Sequence, residues 1–287
     1  MSYTVDIFQV DSFTGDSFKG NPAAVCILDS PKEVSWMQSV AREMNLSETA
    51  FVLSPGERDK GYSLRWFTPT VEVSLCGHAT LASAHILWEE GIIKPDEEVV
   101  FHTLSGALRV WREASIIWMD FPADTLSSVD IPDGFLKALG LSALEARAFK
   151  LFKGRSDYLL HLDFTDGEDI LSSLSPDFDL LRLIPSRGVI VTAASRIEGF
   201  DFASRFFAPA FGIDEDPVTG SAHSALGPYW AGLLQKRELR AYQASARGGV
   251  VRLCVKPDQE DGGRGGHGTR LDIGGMAVTV SKGKLDI

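Results

Sequence analysis

Three consecutive residues, Cys76, Gly77 and His78, put a thiol and an imidazole on either side of a glycine. The stretch around them, VSLCGHATLASAH (Val73 to His85), then runs into small and apolar residues. A second stretch, DEDPVTGSAHSAL (Asp214 to Leu226), has a related order: acidic residues, a glycine, then small residues. Such a pattern suits a metal site, a nucleophilic cysteine, or one site divided between two related halves. Metal ligation has the least support. Cys76 and His78 are one residue apart, helical i, i+4 spacing is absent, and no second Cys/His pair lies near in sequence, so no metal is expected. His85 and His223 fall on predicted helices and read as packed or surface residues. Cys26 in AAVCIL and Cys254 in VRLCVKP read as buried strand residues. Three cysteines, far apart and without C-x-x-C, argue against a disulfide framework or a zinc knuckle.

The glycines suggest anion binding. A glycine just before a helix lets the backbone approach a ligand closely, the first helical amides lack partners, and the helix dipole favours negative charge there. Gly77 and Gly220 therefore either cap helices or, facing each other across a cleft, clamp a small carboxylate. Titratable residues sit beside both turns: Cys76 and His78 at the first, Asp214, Glu215 and Asp216 at the second. Glu48, in NLSETAF, leads into Thr49, Ala50 and Phe51. A carboxylate at such an apolar strand start is either a surface residue or a general acid–base with a raised pKa. GRGGHG (Gly263 to Gly268) formally matches G-x-G-x-x-G, but a strand follows it and DQED precedes it. It reads as a flexible loop rather than a dinucleotide site. No Walker-type phosphate loop occurs, and no organic cofactor is expected.

The elements that must position these residues are mostly strands. YTVDIFQVDSF, AAVCIL, TAFVLS, YSLRWFT, VVFHT, ALRVWRE and SIIWMDFP are rich in β-branched and aromatic residues. VSWMQSVAREM predicts a helix with Trp36, Met37, Val40 and Met44 on one face. A second helix is predicted from near His78 to about Glu90, stopped by Gly91 with Pro95 beyond. Its small residues allow it to sit deep inside a β structure. ADTLSSVDIPDG, after Pro122, reads as a linker. The order then recurs: strands RAFKLF and DYLLHLDF, a short helix DGEDILSSL, strands RGVIVTA and FDFASRFFAP, a helix from about Ser221 to Leu234, and strands GVVRLCVKP and RLDIGGMAVTV. RWFTP (Arg65 to Pro69) returns as RFFAP (Arg205 to Pro209). Each is followed by a loop, a glycine and a small-residue helix, the second loop being three residues longer. Order and spacing together argue for duplication, with two β-rich domains each wrapped around one helix. The expected boundaries are 1–122 and 123–287, with the last strand, about 278–287, packing back on the first domain.

Composition agrees with an ordinary globular protein. Its 287 residues suit two domains of about 140. With 44% hydrophobic and 23% charged residues it can bury a core. A net charge of −11 without a Lys/Arg cluster disfavours nucleic acid as a partner. No basic-then-apolar leader opens the chain and no apolar run approaches the roughly 18 residues of a membrane span, so a cytoplasmic location is expected.

GNPAAV (Gly20 to Val25), NLSETAFV (Asn45 to Val52), RWFTPTVEVSLCGHATLASAH and EDPVTGSAH together resemble the PhzF-like, phenazine-biosynthesis-like family, nearly end to end. The resemblance implies an α+β, diaminopimelate epimerase-like fold: two similar domains, each a β-barrel around a central helix, with the site in the cleft. It implies that Glu48 is the acid–base residue, that His78, Asp216 and Ser221 line the site, that Gly77 and Gly220 hold a substrate carboxylate, and that Asn21 contacts substrate. Cys76 matches the first of two epimerase cysteines, but Thr219 holds the place of the second, and a hydroxyl is too weak an acid or base for that role. A homodimer is also implied. The leading expectation is a cofactor-independent isomerase of a small carboxylate-bearing substrate, similar to dihydro-hydroxyanthranilate isomerisation. Amino-acid racemisation or epimerisation through Cys76, and a non-catalytic binding or interaction protein, are the alternatives.

Overall fold

The computed structural model describes residues 4–55, 61–141, 149–257 and 270–286. GRGGHG lies outside the described residues. The chain divides into two compact units, Met1–Phe121 with Asp272–Ile287, and Pro122–Leu271. Among the described residues no helix is long and apolar enough to cross a membrane.

Unit 1 contains β1 (Thr4–Ser12), β2 (Asn21–Leu28), α1 (Val34–Met44), β3 (Glu48–Leu53), β4 (Tyr62–Phe67), β5 (Glu72–Val73), α2 (Gly77–Glu89), β6 (Val99–Thr103), β7 (Gly106–Glu113) and β8 (Ile116–Pro122). Unit 2 contains β9 (Ser127–Val129), α3 (Phe135–Ala138), β10 (Lys150–Lys153), β11 (Asp157–His161), α4 (Gly167–Ser173), α5 (Phe178–Arg182), β12 (Gly188–Ala194), β13 (Phe202–Phe207), α6 (Gly220–Leu234), β14 (Glu238–Gln243) and β15 (Gly249–Val255). β16 (Arg270–Gly275) spans the unit boundary, and β17 (Ala277–Asp286) returns to pair antiparallel with β1.

Several details differ from the sequence reading, the short β5, α3 and α5 among them. ADTLSSVDIPDG, expected to be a linker, supplies β9, which pairs with β10 and so belongs to unit 2. RLDIGGMAVTV, read as one strand, breaks at Met276 into β16 and β17, and the return to unit 1 begins at Asp272, earlier than about 278. β14 went unmarked. Its exposed Glu238 and Arg240 alternate with buried Leu239, Ala241 and Gln243, and the buried glutamine removes one apolar position from a short pattern.

The strands of unit 1 pair in the row β17–β1–β2–β3–β4–β6–β7–β8. The successive relations are antiparallel, antiparallel, parallel, antiparallel, parallel, antiparallel and antiparallel. Unit 2 runs β9–β10–β11–β12–β13–β14–β15 with the first six relations in the same order. Parallel neighbours need a crossover. In unit 1 the helices α1 and α2 make the two crossovers; in unit 2 α4 with α5, and then α6, stand at the same steps. An Arg–Glu pair also recurs: Arg65 bonds both carboxylate oxygens of Glu72 at 2.7 Å, and Arg205 those of Glu215 at 2.7 and 2.8 Å.

Each sheet has two occupied faces. Ala24, Cys26, Leu28 and Phe51 face Met37 and Ala41 of α1, with Trp36, Val40 and Met44 packed at the margin. Phe51 and Phe67 meet edge-to-face at 5.6 Å, which adds about 0.5–1.5 kcal/mol to their burial. Alternation sends Asn21, Ala23 and Val25 to the opposite face, where Asn21 meets α2. α2 is buried on nearly every side, from Gly77 to Trp88, and only small residues let strands close in on it so completely. In unit 2, Val189, Val191 and Ala193 join the cluster around α3, α4 and α5. The intervening Thr192 instead accepts a hydrogen bond from Trp230 of α6, at 3.0 Å.

Candidate active site

Two local features aim the first group of residues. Gly20 has φ +63°, and a Cβ there would lie 2.1 Å from the Ser12 carbonyl oxygen. Only glycine fits, and the turn it makes delivers Asn21 to the start of β2 on the α2 face. Glu48 opens β3 directly opposite Ala23 of β2. Parallel partners in register share a face, so Glu48 also looks toward α2, whereas Thr49 points the other way. A slip of one residue would move the carboxylate to the α1 side.

His78 sits in the first turn of α2, with Ser12 Oγ donating to its carbonyl at 2.8 Å. Burial pushes its imidazole down to about 3, so the ring is neutral near pH 7. Asn21 Nδ2 lies 3.2 Å from Nδ1. An amide nitrogen only donates, so Nδ1 accepts and the single ring proton sits on Nε2. Nε2 is 3.2 Å from Glu48 Oε2. The two are within ion-pair distance but off the axis of a well-aligned hydrogen bond. Cys76 Sγ stands 3.6 Å from Nδ1. Cys76 is the residue before α2, with extended φ −147°, and its side chain makes no capping hydrogen bond. Gly77 is the first helical residue, so the opening amides of α2 are not occupied by their own cap. Donor atoms of Glu48, Cys76 and His78 all lie within 4.8 Å of one another, which adds a carboxylate to the two ligand types seen in sequence.

Unit 2 assembles a different group at the same place in its own topology. Thr219 precedes α6 as Cys76 precedes α2, and Gly220 is the first helical residue. The Thr219 hydroxyl donates to Asp216 Oδ2 rather than capping the helix. Asp216 is buried. Gln243, at the end of β14, accepts from the Thr219 amide at 2.8 Å and donates to the Asp216 carbonyl at 2.8 Å. Ser221 Oγ accepts from Arg187 Nη1 at 3.0 Å. Arg187 in turn grips Asp157 with a fork of two hydrogen bonds, through Nε at 2.9 Å and through Nη2. Register shows what differs between the halves. Thr49 faces Phe67 across β3–β4, and Val189 faces Phe207 across β12–β13. The counterpart of Glu48 is therefore Gly188, that of Cys76 is Thr219, and that of His78 is Ser221.

The structure thus groups Asn21, Glu48, Cys76, Gly77 and His78 in unit 1, and Asp216, Thr219, Gly220 and Ser221 in unit 2. Asp157, Arg187 and Gln243 were missed. Aligning SRGVIV with LSETAFV along the repeat would have pointed to Arg187; nothing short of tertiary pairing marks Asp157 or Gln243. The other candidates serve structure. Glu215 is held by Arg205, and Asp214 is exposed. His85 Nε2 is 3.1 Å from Thr279 Oγ1. His223 is buried, its Nδ1 donates to the Thr219 carbonyl at 2.8 Å, and burial lowers it to about 4. Burial also pushes the Cys26 thiol up, while Cys254 is half-buried rather than buried.

The family model for phenazine biosynthesis-like proteins matches residues 10–283. The chain belongs to that family. An uncharacterised isomerase of Halalkalibacterium halodurans is 47% identical over 283 residues, covering 98% of each chain. The crystal structure of a PhzF-family phenazine biosynthesis protein from Enterococcus faecalis is similar with a TM-score of 0.87 at 37% identity, over 99% of this chain and 100% of that one. A probable proline racemase of Agrobacterium radiobacter is similar in fold alone, with a TM-score of 0.64 at 13% identity, over 97% of this chain and 92% of that one. The fold is accordingly the mixed, mainly β architecture that phenazine biosynthesis-like proteins and proline racemases have in common.

Proposed function

We propose that the chain is an isomerase that moves a proton with one carboxylate, without metal or organic cofactor, on a small carboxylate-bearing substrate. The observation that carries this reading is the asymmetry of the two half-sites. Glu48 stands beside a neutral His78 in unit 1, whereas Gly188 takes its place in unit 2. The unit 2 alcohol cannot replace a thiol, because Thr219 already donates its proton to Asp216 and an alcohol ionises far above pH 7. One base then takes a proton from an acidic carbon and returns it to another carbon of the same conjugated system, as in dihydro-hydroxyanthranilate isomerisation. The Nε2–H edge of neutral His78, 3.2 Å from Glu48 Oε2, lies against the carboxylate on one side and needs only a small turn to donate to it. Asp216, Ser221 and the opening amides of α2 and α6 are the groups assigned to substrate recognition, with Asn21 fixing the His78 ring. The matching order of strand pairing and the twin Arg–Glu pairs support an origin by duplication, with each sheet closing as a barrel around its helix. On the family resemblance the protein is taken as a homodimer, which sedimentation of the purified chain tests.

A second reading has a specific observation behind it. Cys76 Sγ lies 3.6 Å from His78 Nδ1, a thiol–imidazole contact that suits racemisation at one stereocentre. Solvent-deuterium uptake into candidate substrates separates the readings. Glu48→Gln is expected to lower turnover by about 10² or more, the usual loss for a missing general base. Cys76→Ser is expected to cost less than about tenfold, or about 1.4 kcal/mol. Near-complete loss in Cys76→Ser, with deuterium at a single inverted centre, would instead establish the racemase. Absence of exchange with every ligand that binds would leave a binding protein.

A further inference from the structure

We propose that Glu48, Cys76 and His78 form a binding site for one soft divalent cation such as Zn2+, and that filling it shuts off proton transfer. The second half rests on the isomerase reading above; the first stands on the side chains alone. A carboxylate, a thiol and an imidazole are the three donor types that Zn2+ takes from proteins. Their donor atoms lie within 4.8 Å of one another. Donors bonded at about 2.0–2.3 Å to a tetrahedral ion sit about 3.3–3.8 Å apart. Glu48 Oε2 lies 3.2 Å from His78 Nε2, while Cys76 Sγ lies 3.6 Å from the other ring nitrogen, Nδ1, which Asn21 already meets; an ion therefore takes Nε2, and the Cys76 and Glu48 side chains turn toward it from within the 4.8 Å cluster.

The frame around the three side chains is firm. His78 is held by Ser12, Cys76 by the Thr80 hydroxyl on its carbonyl at 2.5 Å, and Glu48 by the ladder of β3 on β2. The Glu48 side chain is 13% exposed, which gives an ion a way in from solvent. Three protein donors leave the fourth tetrahedral position to water. Mg2+ and Ca2+ require six or more oxygen ligands and do not fit this set. An ion here occupies the carboxylate lone pair that proton transfer uses, so binding and turnover exclude each other.

Co2+ is the probe. The full-length, reduced, chelator-stripped protein should take up one Co2+ per chain with a thiolate-to-metal charge-transfer band, displaced by Zn2+ and unaffected by Mg2+. Cys76→Ser should abolish the band and Cys254→Ser should leave it. Glu48→Gln and His78→Gln should weaken Co2+ binding at least about tenfold; these two carry the test if circular dichroism shows Cys76→Ser unfolded. No band in the wild type, or a band that survives loss of Cys76, overturns the site. For the switch, one equivalent of Zn2+ should stop solvent-deuterium uptake and chelator should restore it. Undiminished uptake with the ion bound overturns the switch and spares the isomerase reading. Uptake that appears only with the ion overturns the switch and also the claim that no metal is needed.

Discussion

Histidine protonation is where single side chains speak most directly to measurable behaviour. Burial lowers His223 from 6.5 to about 4, so the folded protein keeps it neutral where the unfolded chain would charge it. The sign follows from linkage. Stability from this burial is complete above about pH 6.5 and is lost as pH falls toward 4, to the extent of roughly 3 kcal/mol. His223→Gln should flatten the urea-unfolding free energy between those limits relative to wild type, although His78 and His161, also lowered by burial, continue to contribute. Parallel pH profiles for variant and wild type would contradict the assignment. At this scale the sequence was legible where chemistry was contiguous. Cys76 and His78 announced themselves by adjacency, and Glu48 by its place before an apolar strand. Arg187, Asp157 and Gln243 did not, because their roles exist only across 24 to 34 residues of chain.

Elements were read well where one physical signal dominated. The α1 stripe of Trp36, Met37, Val40 and Met44 marked the helix because only one of its faces meets the sheet. α6 follows less obvious rules, since it continues through Pro228. Proline leaves the carbonyl four residues earlier without its helical donor. The Asp124 amide donates to that carbonyl, Ser224, at 3.0 Å, so the segment read as a linker completes the helix. Close packing adds a second constraint, since a Cβ at Gly227 would lie 2.7 Å from Leu271 Cδ1. Turns place the site just as firmly. Gly20→Ala must accept a left-handed backbone and a collision with the Ser12 carbonyl, and is expected to cost about 2–4 kcal/mol in urea unfolding. Asn21 would shift with it. A variant of wild-type stability would show that the turn can relax, and its activity would then report how far Asn21 matters.

For the molecule as a whole, the governing fact is that unit 1 is assembled from both ends of the chain. β17 pairs along the full length of β1, from Thr4 opposite Asp286 to Ser12 opposite Ala277. Deleting residues 277–287 removes a neighbour from β1 and exposes Val5, Ile7 and Val10 at a bare edge. The truncated chain is expected to lose the cooperative transition of unit 1 in calorimetry while unit 2, contiguous in sequence, keeps its own; a single unchanged transition would refute this. Residues 4 and 286 are paired neighbours across an antiparallel ladder, where backbones run about 5 Å apart. A short flexible peptide would bridge them. Circular permutation, with the old ends joined and new ends opened near Ala123, would then encode unit 2 first and all of unit 1 after it as one unbroken run. Such a permutant would make β17 and β1, now separated by almost the whole sequence, neighbours in the chain, and its refolding rate compared with the given order would measure what closing that long loop costs.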